Sequence, residues 1–352
     1  MIKKVNLLSL TREKLNQFFI ELGEKPYRTK QVTSWIYHKS IFDFDKMLDL
    51  SKNLREKLKS IATLEMPKVA KLNKSKDGVL NWVIALDDNN NIETVFIPEK
   101  ERGTLCISTQ VGCALDCSFC ATGKQGFNRN LTTDEIISQV LIAKSYNLNI
   151  TNIVFMGMGE PLLNETPVYD SCSVFLDDYF FGLSRRRVTI STSGVVPALL
   201  RMIDKTNVSL AISLHATNDE LRNELVPINK KYNIQKLLNS CKKYIAAGDQ
   251  KRHILIEYVM LKGINDSANE AKELINLLKD VEAKVNLIPF NSFKESDYES
   301  SSRETITRFQ DILHKGNIRT TTRKTRGDDV AGACGQLAGK VANKRAVKLR
   351  GI

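Results

Sequence analysis

The 352-residue sequence has no apolar run approaching the roughly 20 residues that a membrane helix needs, which excludes a helical membrane span. No secretory pattern opens it, and its seven cysteines are an odd number in a chain too large to need disulfide staples. A reducing cytoplasm is therefore the expected home. It has no internal repeat and no low-complexity linker. Acidic residues are the scarcer charge, 40 against 52 basic ones, for a formal net charge of +12. Such a surplus favours a polyanionic partner, and nucleic acid ahead of a membrane surface because no amphipathic anchor stands out. A Lys-rich background composition explains the same surplus equally well.

A narrower absence is more informative. Cys113, Cys117 and Cys120 stand in a C-x3-C-x2-C stretch with no fourth cysteine nearby downstream. Three soft thiolates on one short loop can hold three irons of a cubane cluster and leave the fourth iron open to a ligand. Clusters that only carry electrons are usually closed by a fourth cysteine. A structural zinc site prefers CxxC pairs with further Cys or His, and buried cysteines acting as small hydrophobes need no such spacing. The spacing, with Phe119 just before the last cysteine, resembles the signature of radical S-adenosylmethionine (SAM) enzymes. That resemblance implies one 4Fe-4S cluster chelated by SAM, whose reductive cleavage gives a 5′-deoxyadenosyl radical.

Periodicity divides the chain. Residues 1–66 read as a helical accessory domain: Thr11 caps a helix carrying Leu15, Phe18, Phe19 and Leu22, a second helix follows Pro26, and a third carries Leu54, Leu58 and Ile61. Its scattered Lys25, Arg28, Lys30, Lys52, Arg55, Lys57 and Lys59 read equally as a solvated surface or a phosphate-contacting face. Residues 67–98 alternate as a small β-meander, a lid or a seam between domains, with Glu93 near the start of its last strand. Over 99–330 strand and helix alternate. Strands are expected at Thr104 to Ser108, Asn152 to Met156, Arg187 to Ser191, Val208 to Ser213, Ile254 to Met260, Lys284 to Ile288 and Ile318 to Arg323. This pattern predicts an α/β fold, an open or partial (β/α) barrel whose chemistry gathers at the C-terminal strand ends, and the resemblance implies that the barrel is of the radical SAM type. Residues 331–352 form a last segment, a cysteine-bearing loop and a basic tail.

Every polar or Gly-rich cluster then falls on one barrel face. Gly157 and Gly159 bare the backbone for a ligand, and Glu160 adds a carboxylate suited to a cation such as the SAM amino group or sulfonium. Ser191 and Asn291 can hydrogen-bond a nucleoside, although a strand-end serine also serves as a helix cap. His215 reads equally as a core histidine or a binding group. Cys172 and Cys241 lie in predicted helices, where burial explains them. Cys106 lies inside the first strand. Cys334 follows the basic run Arg323-Lys324-Thr325-Arg326, and a cysteine beside cations is a better nucleophile.

The blocks Cys113 to Cys120, GMGEPLLN at Gly157 to Asn164, RVTISTSGVVP at Arg187 to Pro197, SLH at Ser213 to His215, NLIPFN at Asn286 to Asn291 and RKTRGDDVAGACGQLA at Arg323 to Ala338 resemble the RlmN family across nearly the whole chain. These are radical SAM methyltransferases of carbon 2 of adenine in 23S rRNA and certain tRNAs. The resemblance implies that Cys113, Cys117 and Cys120 ligate the cluster and that Gly159, Glu160, Ser191, Ser213, Leu214, His215 and Asn291 line the SAM site. It implies two SAM per turnover, one methylating Cys334 and one generating the radical that activates that S-methyl group. The resulting RNA adduct is resolved by Cys106 through a transient disulfide with Cys334, and Glu93 matches the family's proton acceptor. A small electron donor such as flavodoxin is implied, and a monomer suffices. The basic residues Lys315 to Arg326 and Lys340 to Arg350 flank Cys334 and would draw phosphates toward it. Two alternatives remain: the related carbon-8 methyltransferases, against which Pro161 after GMGE favours the carbon-2 enzymes, and a non-catalytic Fe–S RNA-binding or electron-carrying protein.

Overall fold

The computed structural model describes residues 4–248, 253–293, 295–327 and, beyond them, Val330, Gly332, Gly335, Gln336, Leu337 and Gly339. Cys334 and the basic residues from Lys340 onward lie outside the described residues.

The N-terminal helices follow from their caps and stripes. Thr11 accepts a hydrogen bond from the Lys14 amide to start Arg12–Glu21, and Ser51 accepts from the Leu54 amide to start Lys52–Ile61. Between them Tyr27–Thr33 runs into a π-helical turn, Ser34–His38. Leu15, Phe19, Val32, Ile36, Leu54 and Leu58 are buried together. A short parallel pair, Val5–Asn6 with Ala62–Thr63, closes the module. It docks on the larger body through Lys14–Asp170 at 2.5 Å, an Arg12–Asp177 ion pair and Arg12 stacked over Tyr179. Several of its cations are occupied within the module: Arg28 pairs with Glu24, Lys59 with Asp45 and Glu56, and Lys57 donates to the Leu22 carbonyl.

Seven strands run parallel in sequence order: Gly103–Cys106, Asn152–Phe155, Val188–Thr192, Ser209–Ser213, Ile254–Met260, Ala283–Pro289 and Thr320–Thr322. Each lies within a residue or two of its expected place. Helices between them cover the outside; Thr133–Lys144, where the Thr132 amide donates to Glu135, is buried along most of its length.

The expected meander forms as Lys68–Lys74, Leu80–Ala85 and Asn91–Pro98, but it is not a separate link. Asn91–Pro98 pairs antiparallel with the first barrel strand, Val95 opposite Cys106, so that one ten-stranded sheet runs through both regions. The reason is geometric. The first barrel strand has a free edge because a partial barrel does not close, and an adjacent antiparallel strand satisfies it.

Candidate active site

The C-terminal ends of the parallel strands enclose a cavity of about 150 Å³. Cys113, Cys117 and Cys120 line it together with Gly159, Glu160, Ser191, Ser213, His215 and Asn291. Six residues from four strand ends thus meet the cysteine loop, as expected of a barrel whose strands all point one way. The cavity shares Met156, Glu257, Asn291 and Arg323 with a larger space of about 800 Å³ inside the barrel. Leu214 is the exception: its side chain is fully buried in the core, outside the cavity lining, and it contributes a carbonyl that accepts from Arg222 Nε at 3.0 Å.

The cysteine loop leaves the first strand through Gln110–Gly112, which pairs with Phe127–Asn130. Burial raises the Cys113 and Cys117 thiols, Cys117 to about 12, and the neighbouring thiols raise both further. Thiolates crowded in this way need a shared cationic centre. Among the described residues no three His, Cys, Asp or Glu side chains converge on a single metal ion. A cubane offers three separate irons to three thiolates, which three cysteines lining one cavity can supply.

Glu160 is 3% exposed. Its carboxylate accepts from the Leu162 amide at 3.0 Å and the Ser193 amide at 2.8 Å, and no ion pair joins it among the described residues. Burial raises its pKa, partly offset by these amides. A buried carboxylate on a cavity wall, held by neutral donors and with no cation paired to it among the described residues, is a receptor for a cation. The two glycines before it also line the cavity, and close packing gives each a second reason to lack a side chain. A Cβ on Gly157 would lie 2.7 Å from the Ile107 carbonyl carbon, and one on Gly159, at φ +100°, 2.4 Å from Gln110 Cβ. The glycines let the loop after the second strand lie on the chain leaving the first, where the Gln110 side chain also accepts from the Glu160 amide at 2.9 Å.

His215 is both a core residue and a cavity residue. It sits at φ +62°, edge-on to Phe119 at 4.6 Å, and its Nδ1 accepts from the Val259 amide at 3.0 Å. Burial, assisted by Arg222, pulls its pKa down to about 3. The ring is therefore neutral, with Nε2 carrying the proton as a donor.

Cys106 and Glu93 lie on adjoining strands at the seam of the sheet. Both are buried, and the Cys106 thiol is raised by burial and lowered by Arg323. Glu93 accepts from Asn81 Nδ2 at 2.8 Å, and the same amide reaches the Val330 carbonyl at 3.4 Å. Arg323 also faces Glu257, whose pKa burial raises. The six described cysteines are free thiols. The C-terminal segment meets the cysteine loop directly: the Ala121 amide donates to the Gly335 carbonyl at 2.8 Å and Thr122 Oγ1 to the Leu337 carbonyl at 2.7 Å. Sequence reasoning missed Arg222, Ser193, Asn81 and Glu257. A lone Arg in a helix and a Glu in mid-strand carry no motif; only the strand-end position of Ser193 signalled it.

Comparison with known proteins agrees with this geometry. Residues 5–64 match the ribosomal RNA large subunit methyltransferase N-terminal domain, and residues 107–278 match the radical SAM superfamily. The chain is 62% identical over 97% of its length, and 98% of the relative's, to the dual-specificity RNA methyltransferase RlmN of Ruthia magnifica. It is 52% identical to that of Marinobacter nauticus, over 97% of this chain and 95% of the relative. Its fold is similar to a crystal structure of a radical SAM methyltransferase from Sphaerobacter thermophilus, with a TM-score of 0.89 and 38% identity over 95% of this chain and 99% of that one. No described helix is long and apolar enough to cross a membrane. The chain belongs to the RlmN family of RNA methyltransferases, within the radical SAM superfamily, whose members imply a 4Fe-4S cluster and SAM at this cavity.

Proposed function

We propose that this enzyme methylates carbon 2 of an adenine in 23S rRNA and in tRNA, using Cys334 as methyl carrier and Cys106 as resolving thiol. Cys113, Cys117 and Cys120 would hold the cluster, and Gly159, Glu160, Ser191, Ser213, His215 and Asn291 would hold SAM. Leu214 takes part through its backbone. The cluster and SAM, when bound, supply the methyl group and the one-electron chemistry, with two SAM consumed per turnover and a small flavodoxin-like donor as reductant. Carbon 2 of adenine is not nucleophilic, so direct transfer of a methyl cation fails there, and a protein-bound carbon is the workable carrier.

The chain's own residues perform the remaining tasks. The carbon carried on the Cys334 sulfur would bond to the base, and Glu93 would take the proton released from carbon 2. The Cys106 thiolate would attack the Cys334 sulfur, breaking its bond to the carried carbon, which takes up a proton to become the methyl group as the disulfide forms. One observation carries this reading: Gly335 and Leu337, which follow Cys334 in the sequence, line the same cavity as the three cluster cysteines. Cys106 and Glu93 support it from the neighbouring strands, where both are buried. Phosphate attraction by Lys315, Arg319, Arg323, Lys324 and Arg326 would bring the RNA, and a target base must unstack to reach the carrier.

The test is anaerobic expression of the wild type, Cys106→Ala, and Cys106→Ala with Cys334→Ala. The single variant is expected to accumulate RNA covalently attached to protein, and the double variant to carry none. Mass spectrometry of the product adenosine then assigns carbon 2 rather than carbon 8. Absence of attached RNA in the single variant, with SAM still cleaved, would withdraw the carrier role.

A further inference from the structure

Arg222 sits in the short helix Asp219–Leu225 with its side chain fully buried. Four of its five N–H groups are engaged, all by neutral oxygens. Nε donates to the Leu214 carbonyl at 3.0 Å, Nη1 to Asn229 Oδ1 at 2.8 Å, and Nη2 to the carbonyls of Ser193 at 2.8 Å and Ser213 at 2.9 Å. No carboxylate pairs with it among the described residues, and burial pulls its pKa down to about 10, opposed first by the Cys117 thiol. A guanidinium is an expensive way to satisfy carbonyls when its charge has no use, because neutral donors would do so without desolvating an ion. The groups of opposite sign that act on that charge are Cys117 first and then Asp219, so the thiolate loop is a use for it.

Ser193 connects the two. Its carbonyl is held by Arg222, its amide donates to Glu160 Oε2, and its hydroxyl lines the cavity within reach of both Glu160 and Cys117. One residue on the cavity wall thus reaches a cysteine of the triad and the buried carboxylate, and it is fixed from behind by a buried cation.

Resting on the reading of this cavity as the cluster and SAM site, we propose that Arg222 is a positioning residue with two effects. Its fork clamps the ends of the third and fourth barrel strands, so that Ser193, Ser213 and Glu160 keep the shape that SAM requires. Its charge, with the Ser193 hydroxyl, makes a cluster ligated by Cys117 easier to reduce, since nearby positive charge and hydrogen bonds to sulfur both raise a cluster's potential.

The full chain, reconstituted anaerobically, tests both effects by the cluster's midpoint potential and by SAM affinity in equilibrium dialysis. Arg222→Gln is expected to move the potential to more negative values and to weaken SAM binding about tenfold, the scale of one lost hydrogen bond from a charged donor. Arg222→Lys keeps the charge without the fork. It should leave the potential near that of the wild type and weaken SAM alone. Ser193→Ala removes only a hydroxyl and should still shift the potential, which decides the cluster half if Arg222→Gln does not fold; Arg222→Lys then decides the SAM half. Variants that melt at lower temperature with potential and SAM affinity at wild-type values would make Arg222 purely structural and overturn the proposal. A wild-type chain that takes up no cluster is a distinct result, which would remove the site assignment beneath it.

Discussion

The ten-stranded sheet has two regions built on different rules. Its seven parallel strands, from Gly103–Cys106 to Thr320–Thr322, all point one way, so their following loops converge on one end. Its antiparallel wing, Lys68–Lys74 to Asn91–Pro98, has no common end, and it offers side chains from the middle of strands. The parallel half therefore presents many short polar groups around one cavity, with Cys113, Cys117, Glu160, Ser193 and His215 among them. The wing presents a single buried carboxylate, Glu93, steadied by its cross-strand neighbour Asn81 and next to the C-terminal segment. Cofactor handling would then belong to the parallel half and proton handling to the wing, with Cys106 where they join.

That division can be broken most severely at the cysteine loop. Cys117→Ser is expected to reduce turnover to background together with iron content, measured by chemical iron analysis and visible absorbance, because three ligands are the minimum for the cluster. Full iron content in this variant would disconnect the loop from the cofactor. Next, Glu93→Gln keeps shape and leaves an oxygen for Asn81. If the wing moves the proton, methyl transfer falls about 10²- to 10⁴-fold while SAM affinity stays at the wild-type value. Equal loss of both would merge the two regions into one.

Backbone substitutions test the parallel half on its own, the cavity wall against a loop outside the cavity lining. Gly159→Ala places a Cβ 2.4 Å from Gln110, whereas one on Gly263, at φ +69° in the loop after Ile254–Met260, meets nothing within 4 Å. The first should cost about 1–3 kcal/mol and weaken SAM binding; the second should cost about 1 kcal/mol through its left-handed backbone alone and leave SAM binding intact. Denaturant melts with SAM titrations check both.

The last expected effect leaves turnover aside and concerns acid. His215 titrates near 3 in the folded chain, against roughly 6.5 when unfolded. Between those values the unfolded chain binds a proton that the folded chain does not, so stability falls as pH drops below about 6.5, by at most about 1.4 kcal/mol per pH unit. His215→Asn, which tolerates the positive φ, should flatten that part of the stability-pH curve. Above pH 7 the two proteins should have the same pH dependence.

Much of this was legible in the residues because it is local. The alternation of strand and helix located all seven barrel strands, and Thr11 and the Thr132 capping box marked two helix starts where the amides are found engaged. The cysteine spacing and the GMGEP loop placed two site segments on one face, and both line the cavity. The residues did not disclose the packing reason for Gly157 and Gly159, since that depends on how closely two loops pack. Nor did they separate Leu214 from Ser213 and His215: three consecutive residues look alike in a motif, and only the turn at His215 sends the middle side chain into the core.

The sequence by itself determined what is fixed by covalent spacing: three thiols on one loop, strand and helix in alternation, and a surplus of cations around Cys334. Tertiary structure alone decided which distant groups meet. Arg222 reaches Ser193 across 29 residues, Thr122 reaches Leu337 across 215, and the meander becomes part of the barrel's own sheet. The physical reason is that spacing along a chain sets distances only within a turn or a strand. Beyond that, strand order and the need to satisfy every buried carbonyl and amide choose the partners.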